Sequence, residues 1–285
     1  MPTRHATTLA ADQSAKSQRG LPRDGSLPVI SGFVVRWFRW YARGYLGKHF
    51  SRLRLLNENV PVLPANVPVI VFVNHASWWD PMLCLLIAER LFAGRRCYAP
   101  IDARALEKYA FFRKLGFFGV EQGTPRGAVQ FLRTGGAILA QGDSMLWLTP
   151  QGRFVDQRSR PVVFEPGLAH LVHRTNDVVL VPLALDFSFG AERKPEVAVR
   201  FGPWIRKSDV GATVDSADGW NSFLEGALTQ SQDRLAREVQ RGDDAAFIPL
   251  QRSDSGIGGV YDLWRRMKSW SRGQRFVAEH GDPKR

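Results

Sequence analysis

The chain has 285 residues, 44% of them hydrophobic and 23% charged, so it can bury one large core or two small ones without disulfide or metal staples. This composition is ordinary for a globular protein and excludes wholesale disorder and a polytopic membrane protein. The formal net charge of +12 is high, and it favours a polyanionic partner, either nucleic acid or an anionic membrane surface.

The termini and the cysteines indicate the compartment. Residues 1–28 are polar and without period, and they lack the apolar core of a signal peptide, so we expect a mobile tail. Cys84 and Cys97 lie in apolar patterns, which argues against a disulfide framework and is typical of a reducing cytosol. No run of about 18 apolar residues is free of charge, so we expect no membrane span.

Residues 29–56 form a basic aromatic segment. Trp37, Trp40 and other aromatic residues recur there at helical spacing, arginines fall between them, and no acidic residue interrupts the pattern. One interpretation is a helix that faces the core with solvated arginines. The other is a helix that lies in a lipid headgroup layer, where each Lys or Arg contributes about 1 kcal/mol near anionic lipid. This segment alone leaves both open.

Residues 57–250 alternate between strand and helix patterns, and Thr124 followed by Pro125 is typical of a helix start. Strands separated by helices predict an α/β fold, a mixed, mostly parallel sheet flanked by helices. We expect strands at 68–73, 97–101, 116–121, 144–149 and 178–187, an edge strand at 196–201, and helices at about 78–93, 104–114, 125–141 and 219–241.

A linker at 251–259 precedes a second basic aromatic segment, residues 260–285, which includes Trp264 and Trp270. Tryptophan prefers the headgroup boundary, and the chain has no recognisable nucleic-acid-binding motif. Two such segments therefore favour an anionic membrane surface over nucleic acid. We predict membrane contact by Trp37, Trp40, Trp264 and Trp270, with the protein held peripherally on the cytoplasmic face of the cell membrane.

The stretch VNHASWWDP, residues 73–81, follows an apolar strand pattern and places His75 five residues before Asp80. In α/β sheets, chemistry gathers where strands end and helices begin. In a structural interpretation, Ser77 and Asp80 cap the next helix. In a functional one, Asp80 holds the tautomer of His75, and the other imidazole nitrogen accepts a proton from a substrate hydroxyl.

NHASWWD resembles the Asn-His-four-residues-Asp pattern of the glycerolipid acyltransferase family, of the lysophosphatidate acyltransferase type. LGFFGVEQG at 115–123, LTPQGRF at 148–154 and VLVPLAL at 179–185 resemble the blocks that follow it in that family. The resemblance spans about residues 60–201. It implies that His75 is the general base, that Asp80 orients it with support from Asn74 and Ser77, and that the second and third blocks bind the acyl acceptor, here through Gln122, Gln151, Gly152 and Arg153.

Two positions depart from the family pattern. Gln151 stands where a glutamate is usual, with Arg153 one residue early, and Gln122 stands where an arginine is common. A phosphate is held better by two arginines than by one. The departures therefore favour a neutral or zwitterionic acceptor, such as a glycolipid or a lyso-aminolipid, over lysophosphatidate.

The resemblance implies a membrane-associated O-acyltransferase of phospholipid biosynthesis. It would move a fatty acyl group from a thioester, acyl-CoA or acyl carrier protein, to the hydroxyl of a lipid. Such an attack needs a base, alignment and donors for the oxyanion, so we expect no metal and no cofactor beyond the thioester co-substrate. The alternative is a non-catalytic lipid-binding relative of the same fold.

Overall fold

The structure, a computed structural model, describes residues 27–252 apart from Ala191 and Ala212. Most of the predicted tail, residues 253–259 of the predicted linker, and the second basic aromatic segment with Trp264 and Trp270 lie outside the described residues. The first two residues of the predicted linker, 251 and 252, instead end the last strand.

The described residues form a nine-stranded mixed sheet with helices on both faces, which confirms the predicted fold class. The strand order is β4-β3-β5-β2-β6-β7-β1-β9, and the short β8 pairs with β6. The strands are β1 (Arg52–Leu56), β2 (Val69–Val73), β3 (Arg96–Asp102), β4 (Phe117–Val120), β5 (Ser144–Leu148), β6 (Val179–Ser188), β7 (Glu196–Phe201), β8 (Ile205–Arg206) and β9 (Phe247–Arg252). The helices are α1 (Gly32–His49), α2 (Asp80–Leu91), α3 (Ala103–Lys108), α4 (Pro125–Leu139), α5 (Gly167–Arg174), α6 (Lys207–Val210) and α7 (Ala217–Arg241), with 3₁₀ turns at Ala110–Leu115 and Asp244–Ala246.

Strand β2 is the centre of the parallel part of the sheet. It pairs in parallel with β5 on one side and with β6 on the other, and all five of its residues are buried. Strands β4, β3, β5, β2 and β6 run in the same direction, so their carboxyl ends lie along one edge. We call this the carboxyl edge.

Alternate residues of β2 pack into different layers. Val69, Val71 and Val73 belong to the core shared with α1, α2 and α3, whereas Ile70 and Phe72 belong to the core shared with α4, α5 and α7. Because both faces are covered, the strand reads as an unbroken apolar run.

The prediction of an edge strand at 196–201 was wrong. This strand, β7, lies between β6 and β1 and is buried along its whole length. The sequence missed its neighbours, because RLRLL at 52–56 was assigned to the preceding basic segment. The predicted helical segment in fact ends at His49, and 52–56 is β1. Its arginines remain in the sheet because acids pair with them, as Arg54 pairs with Glu196 and Asp244.

The helix predicted at 104–114 is divided in two. Helix α3 ends at Lys108, and a 3₁₀ turn continues to Leu115. Gly116 ends this turn with a φ of +97°, where a Cβ would lie 2.2 Å from the carbonyl oxygen of Cys97. By contrast, the helix start at Thr124 is confirmed, since its Oγ1 accepts the N–H of Gly127 at 3.0 Å.

Candidate active site

The side chains of interest lie on loops that leave the carboxyl edge. Asn74 and His75 directly follow β2, Gln122 follows β4, and the β5–α5 loop (149–166) contains Gln151. The parallel topology therefore brings together segments that are separated by up to about 80 residues in the sequence.

Two amide side chains extend the pairing of β6 beyond the end of β2. Asn74 accepts the N–H of Leu185 at 2.8 Å and donates to its carbonyl at 3.0 Å. Gln157 makes the same pair of bonds with Phe187, at 2.8 and 3.1 Å. Asn74 thereby fixes the backbone next to His75, which is consistent with the support role that the sequence predicted for it.

His75 and Asp80 meet as the functional interpretation requires. Nδ1 of His75 lies 2.8 Å from Oδ2 of Asp80, whose side chain is fully buried, while the imidazole is partly exposed. Burial raises the pKa of Asp80, and the bonds from His75 and from the backbone N–H of Ser77 oppose that rise. With a carboxylate at Nδ1, the proton stays on Nδ1 and the Nε2 lone pair is left to accept a proton.

The structural interpretation of Asp80 also holds in part. Its Oδ2 accepts the backbone N–H of Ser77 at 3.0 Å, and Ser77 Oγ accepts the N–H of Trp79 at 3.3 Å. Helix α2 begins at Asp80 itself, and its N-cap residue, Trp79, makes no side-chain cap. One carboxylate oxygen therefore both closes the turn before α2 and orients the histidine.

The β5–α5 loop folds against His75. Gln151 is 6% exposed, and its Oε1 accepts the backbone N–H of His75 at 2.7 Å. The N–H of Val155 donates to the His75 carbonyl at 2.8 Å. The ring of Phe154 packs on the imidazole with 4.4 Å between ring centroids, and its outer part is exposed. The loop therefore contacts both the backbone and the ring of His75, and the Gln151 carbonyl oxygen points to His75 and not to an open acceptor site.

Gln122 and Arg153 are exposed and, among the residues that the structure describes, neither forms a hydrogen bond or an ion pair. Gly152 is exposed at the turn of the β5–α5 loop and has a φ of +67°. These three predicted acceptor residues are available to a ligand at the carboxyl edge, with Gln122 three strands away from His75 in the sheet order.

Sequence reasoning did not single out Phe154, Val155 or Gln157. Phe154 lies inside LTPQGRF, so its neighbourhood was recognisable. Val155 acts through its backbone and Gln157 through contacts with a distant strand. No local pattern indicates either role.

The burial of its side chains shows which side of helix α1 faces the protein. It packs through Phe38, Ala42 and Leu46, which are buried, while Trp37 and Trp40 are 51% and 67% exposed. The core-facing interpretation therefore accounts for a minority of its aromatic side chains. No helix within the described ranges is long and apolar enough to cross a membrane.

The fold and the site together define a class: an α/β protein with a histidine–aspartate pair at the carboxyl edge of a mainly parallel sheet. Residues 54–186 match the model of the Acyltransferase family. Over this segment, just under half of the chain, the sequence is similar to the acyltransferase family, which supports the predicted O-acyltransferase of the glycerolipid type.

The fold is similar to that of a crystal structure of the 1-acyl-sn-glycerophosphate (LPA) acyltransferase PlsC from Thermotoga maritima. The TM-score is 0.50 and the sequence identity 16%, with 80% of this chain and 89% of that chain covered. No curated protein sequence matches the chain. The comparison confirms a PlsC-like fold.

Proposed function

We propose that the protein transfers a fatty acyl group from a thioester to the hydroxyl of a lipid, with His75 as the general base. The observation that carries this proposal is the 2.8 Å contact between His75 Nδ1 and the buried carboxylate of Asp80, next to an imidazole that stays accessible. The acyltransferase family of residues 54–186 supports it.

The reaction follows from this geometry. Nε2 of His75 removes the proton of the acceptor hydroxyl while the hydroxyl oxygen attacks the carbonyl carbon of the thioester. Asp80 stabilises the imidazolium that forms, because its carboxylate accepts the Nδ1–H bond. When the tetrahedral intermediate collapses, the C–S bond breaks, and the leaving thiolate takes the proton from Nε2. The products are an ester and a free thiol.

We expect His75→Ala to remove nearly all acyl transfer, since a general base contributes typically about 100- to 10,000-fold. Asp80→Asn should cost less, because an unaligned imidazole is still a base. Thiol release and ester formation with purified protein measure both. His170→Ala is the control, because His170 is an exposed histidine on α5 and should keep wild-type turnover.

If His75→Ala retained more than about a tenth of wild-type turnover, the base assignment would be wrong. Thioester consumption also separates the enzyme from a non-catalytic lipid-binding relative. Wild-type protein that binds lipid but consumes no acyl-CoA and no acyl carrier protein thioester would establish that relative instead.

The proposed acceptor is a neutral or zwitterionic lipid at a membrane surface. Gln122 and Arg153 are exposed at the carboxyl edge, and only one of them is charged. For the membrane, the support is the exposed Trp37 and Trp40 on α1 together with the net charge of +12, which suits peripheral attachment to anionic lipid on the cytoplasmic face.

A further inference from the structure

The backbone N–H and the backbone C=O of His75 are both hydrogen-bonded to the β5–α5 loop. Its N–H donates to Oε1 of Gln151 at 2.7 Å, and its carbonyl accepts the N–H of Val155 at 2.8 Å. Strand β2 ends at Val73, so His75 lies beyond the last ladder position that the sheet pairs. The loop therefore supplies the backbone hydrogen bonds that the sheet no longer provides at the histidine.

We propose that Gln151 is a positioning residue for the general base: its buried side-chain carbonyl fixes the backbone of His75, and so the place of the imidazole between Asp80 and the acceptor hydroxyl. This inference rests on the proposed function of His75. It assigns Gln151 a different role from the acceptor binding that the sequence suggested.

The chemistry of an amide suits this position. A backbone N–H needs an acceptor, and Gln151 provides one without a charge in a buried site. Loss of the acceptor would leave the His75 N–H unpaired and free the strand exit to shift. A displacement of about 1 Å in a catalytic group can cost about 100-fold in rate, and it acts on the chemical step rather than on substrate binding.

The test compares two substitutions at Gln151. Gln151→Met keeps the length and removes the acceptor, and we expect kcat to fall by about 10- to 100-fold while the KM of each substrate changes by less than about 3-fold. Gln151→Glu keeps a carbonyl oxygen at the same reach, and we expect it to restore kcat to at least several times the Met value.

Gln157→Met is the matched control, since Gln157 is a glutamine on the same loop that also pairs with backbone groups, those of Phe187. We expect it to lower the melting temperature without lowering the kcat of the folded protein. If Gln151→Met does not fold, Gln151→Asn, too short to reach the N–H, takes its place with the same expected kcat loss.

Three results would overturn the proposal. A raised KM for the acceptor at unchanged kcat would make Gln151 an acceptor ligand. If Gln151→Met and Gln157→Met changed kcat and melting temperature equally, the role of Gln151 would be merely structural. If Gln151→Glu were as slow as Gln151→Met, the hydrogen-bond-accepting oxygen would have no role. The His75→Ala measurement stands apart, because residual activity there contradicts the base itself and not its positioning.

Discussion

At the scale of single residues, the candidate site depends on Gly152, where the β5–α5 loop turns back toward His75. Its φ of +67° lies in the left-handed region that glycine adopts without strain. A Cβ there would lie 2.9 Å from Cγ of Glu165, which is an exposed side chain and can move. The backbone conformation, rather than the contact, therefore requires glycine.

We expect Gly152→Ala to lower the free energy of unfolding by about 1 kcal/mol and to reduce kcat, because strain in this turn displaces Gln151 and Val155. Denaturant unfolding and turnover measure both effects. The matched control is Gly136→Ala in α4, where a Cβ would meet nothing within 4 Å, and which should stabilise the protein by about 0.5–1 kcal/mol. Equal responses of the two variants would contradict this account.

At the scale of elements, helix α1 has two distinct sides. Its buried side packs Phe38 against Phe111 and Phe112 of the 3₁₀ turn, at 5.9 and 6.3 Å between ring centroids. Its exposed side carries Trp37, Trp40 and further aromatic residues, with Arg36 and Arg43 also exposed. An aromatic side with basic residues beside it suits the boundary between lipid headgroups and water.

We expect Trp37→Ala combined with Trp40→Ala to shift the protein from the membrane fraction to the soluble fraction, with little change in melting temperature because both side chains are exposed. High salt should release part of the wild type by screening the arginines. Trp204→Ala is the control, since Trp204 is 39% exposed on the loop between β7 and β8 and should leave the distribution unchanged. Wild-type protein that resists alkaline carbonate, together with no effect of the double variant, would indicate an integral anchor.

At the scale of the whole molecule, the order of the sheet decides how far apart the site segments lie. Gln122 follows β4, three strands from β2, and a spacing of about 4.8 Å per strand puts it about 14 Å from the strand exit of His75. We expect the head group of the acceptor to lie along this stretch of the carboxyl edge. Residues 121–126 carry one acid and one base, Glu121 and Arg126, and Arg153 is the single cation of 149–155.

We therefore expect a neutral or zwitterionic lipid to have the higher catalytic efficiency when it competes with lysophosphatidate in one assay. Arg126 is offset in charge by Glu121, so a phosphate there has less cationic support than a pair of arginines gives, whereas hydroxyl and amide groups can pair with glutamine. The ratio of the two products gives the ratio of kcat/KM directly. A preference for lysophosphatidate over every neutral lipid tested would restore the acceptor that is usual for the family.

Local patterns predicted much of the parallel sheet. The apolar runs at β2, β5 and β6 and the Thr124 cap of α4 were found to within one or two residues, because continuous burial and capping chemistry leave direct marks in the sequence. Strands β1 and β9 and the two-residue β8 were missed. The arginines of β1 argued against a buried strand, because Glu196 and Asp244, which neutralise Arg54, are distant in the chain and could not be recognised as its partners.

The sequence by itself determined the fold class, the family resemblance and the His75–Asp80 pair, because the two residues lie five apart across the turn before α2, which is a short-range geometry. The tertiary structure alone decided that Gln151 and Val155 hold the His75 backbone, that Gln157 continues the ladder of β6, and that α1 exposes Trp37 and Trp40. These outcomes depend on which strands become neighbours and on which helix side is buried. Strand neighbours and buried helix sides are set by packing between residues distant in the chain, so the local hydrophobic pattern does not predict them.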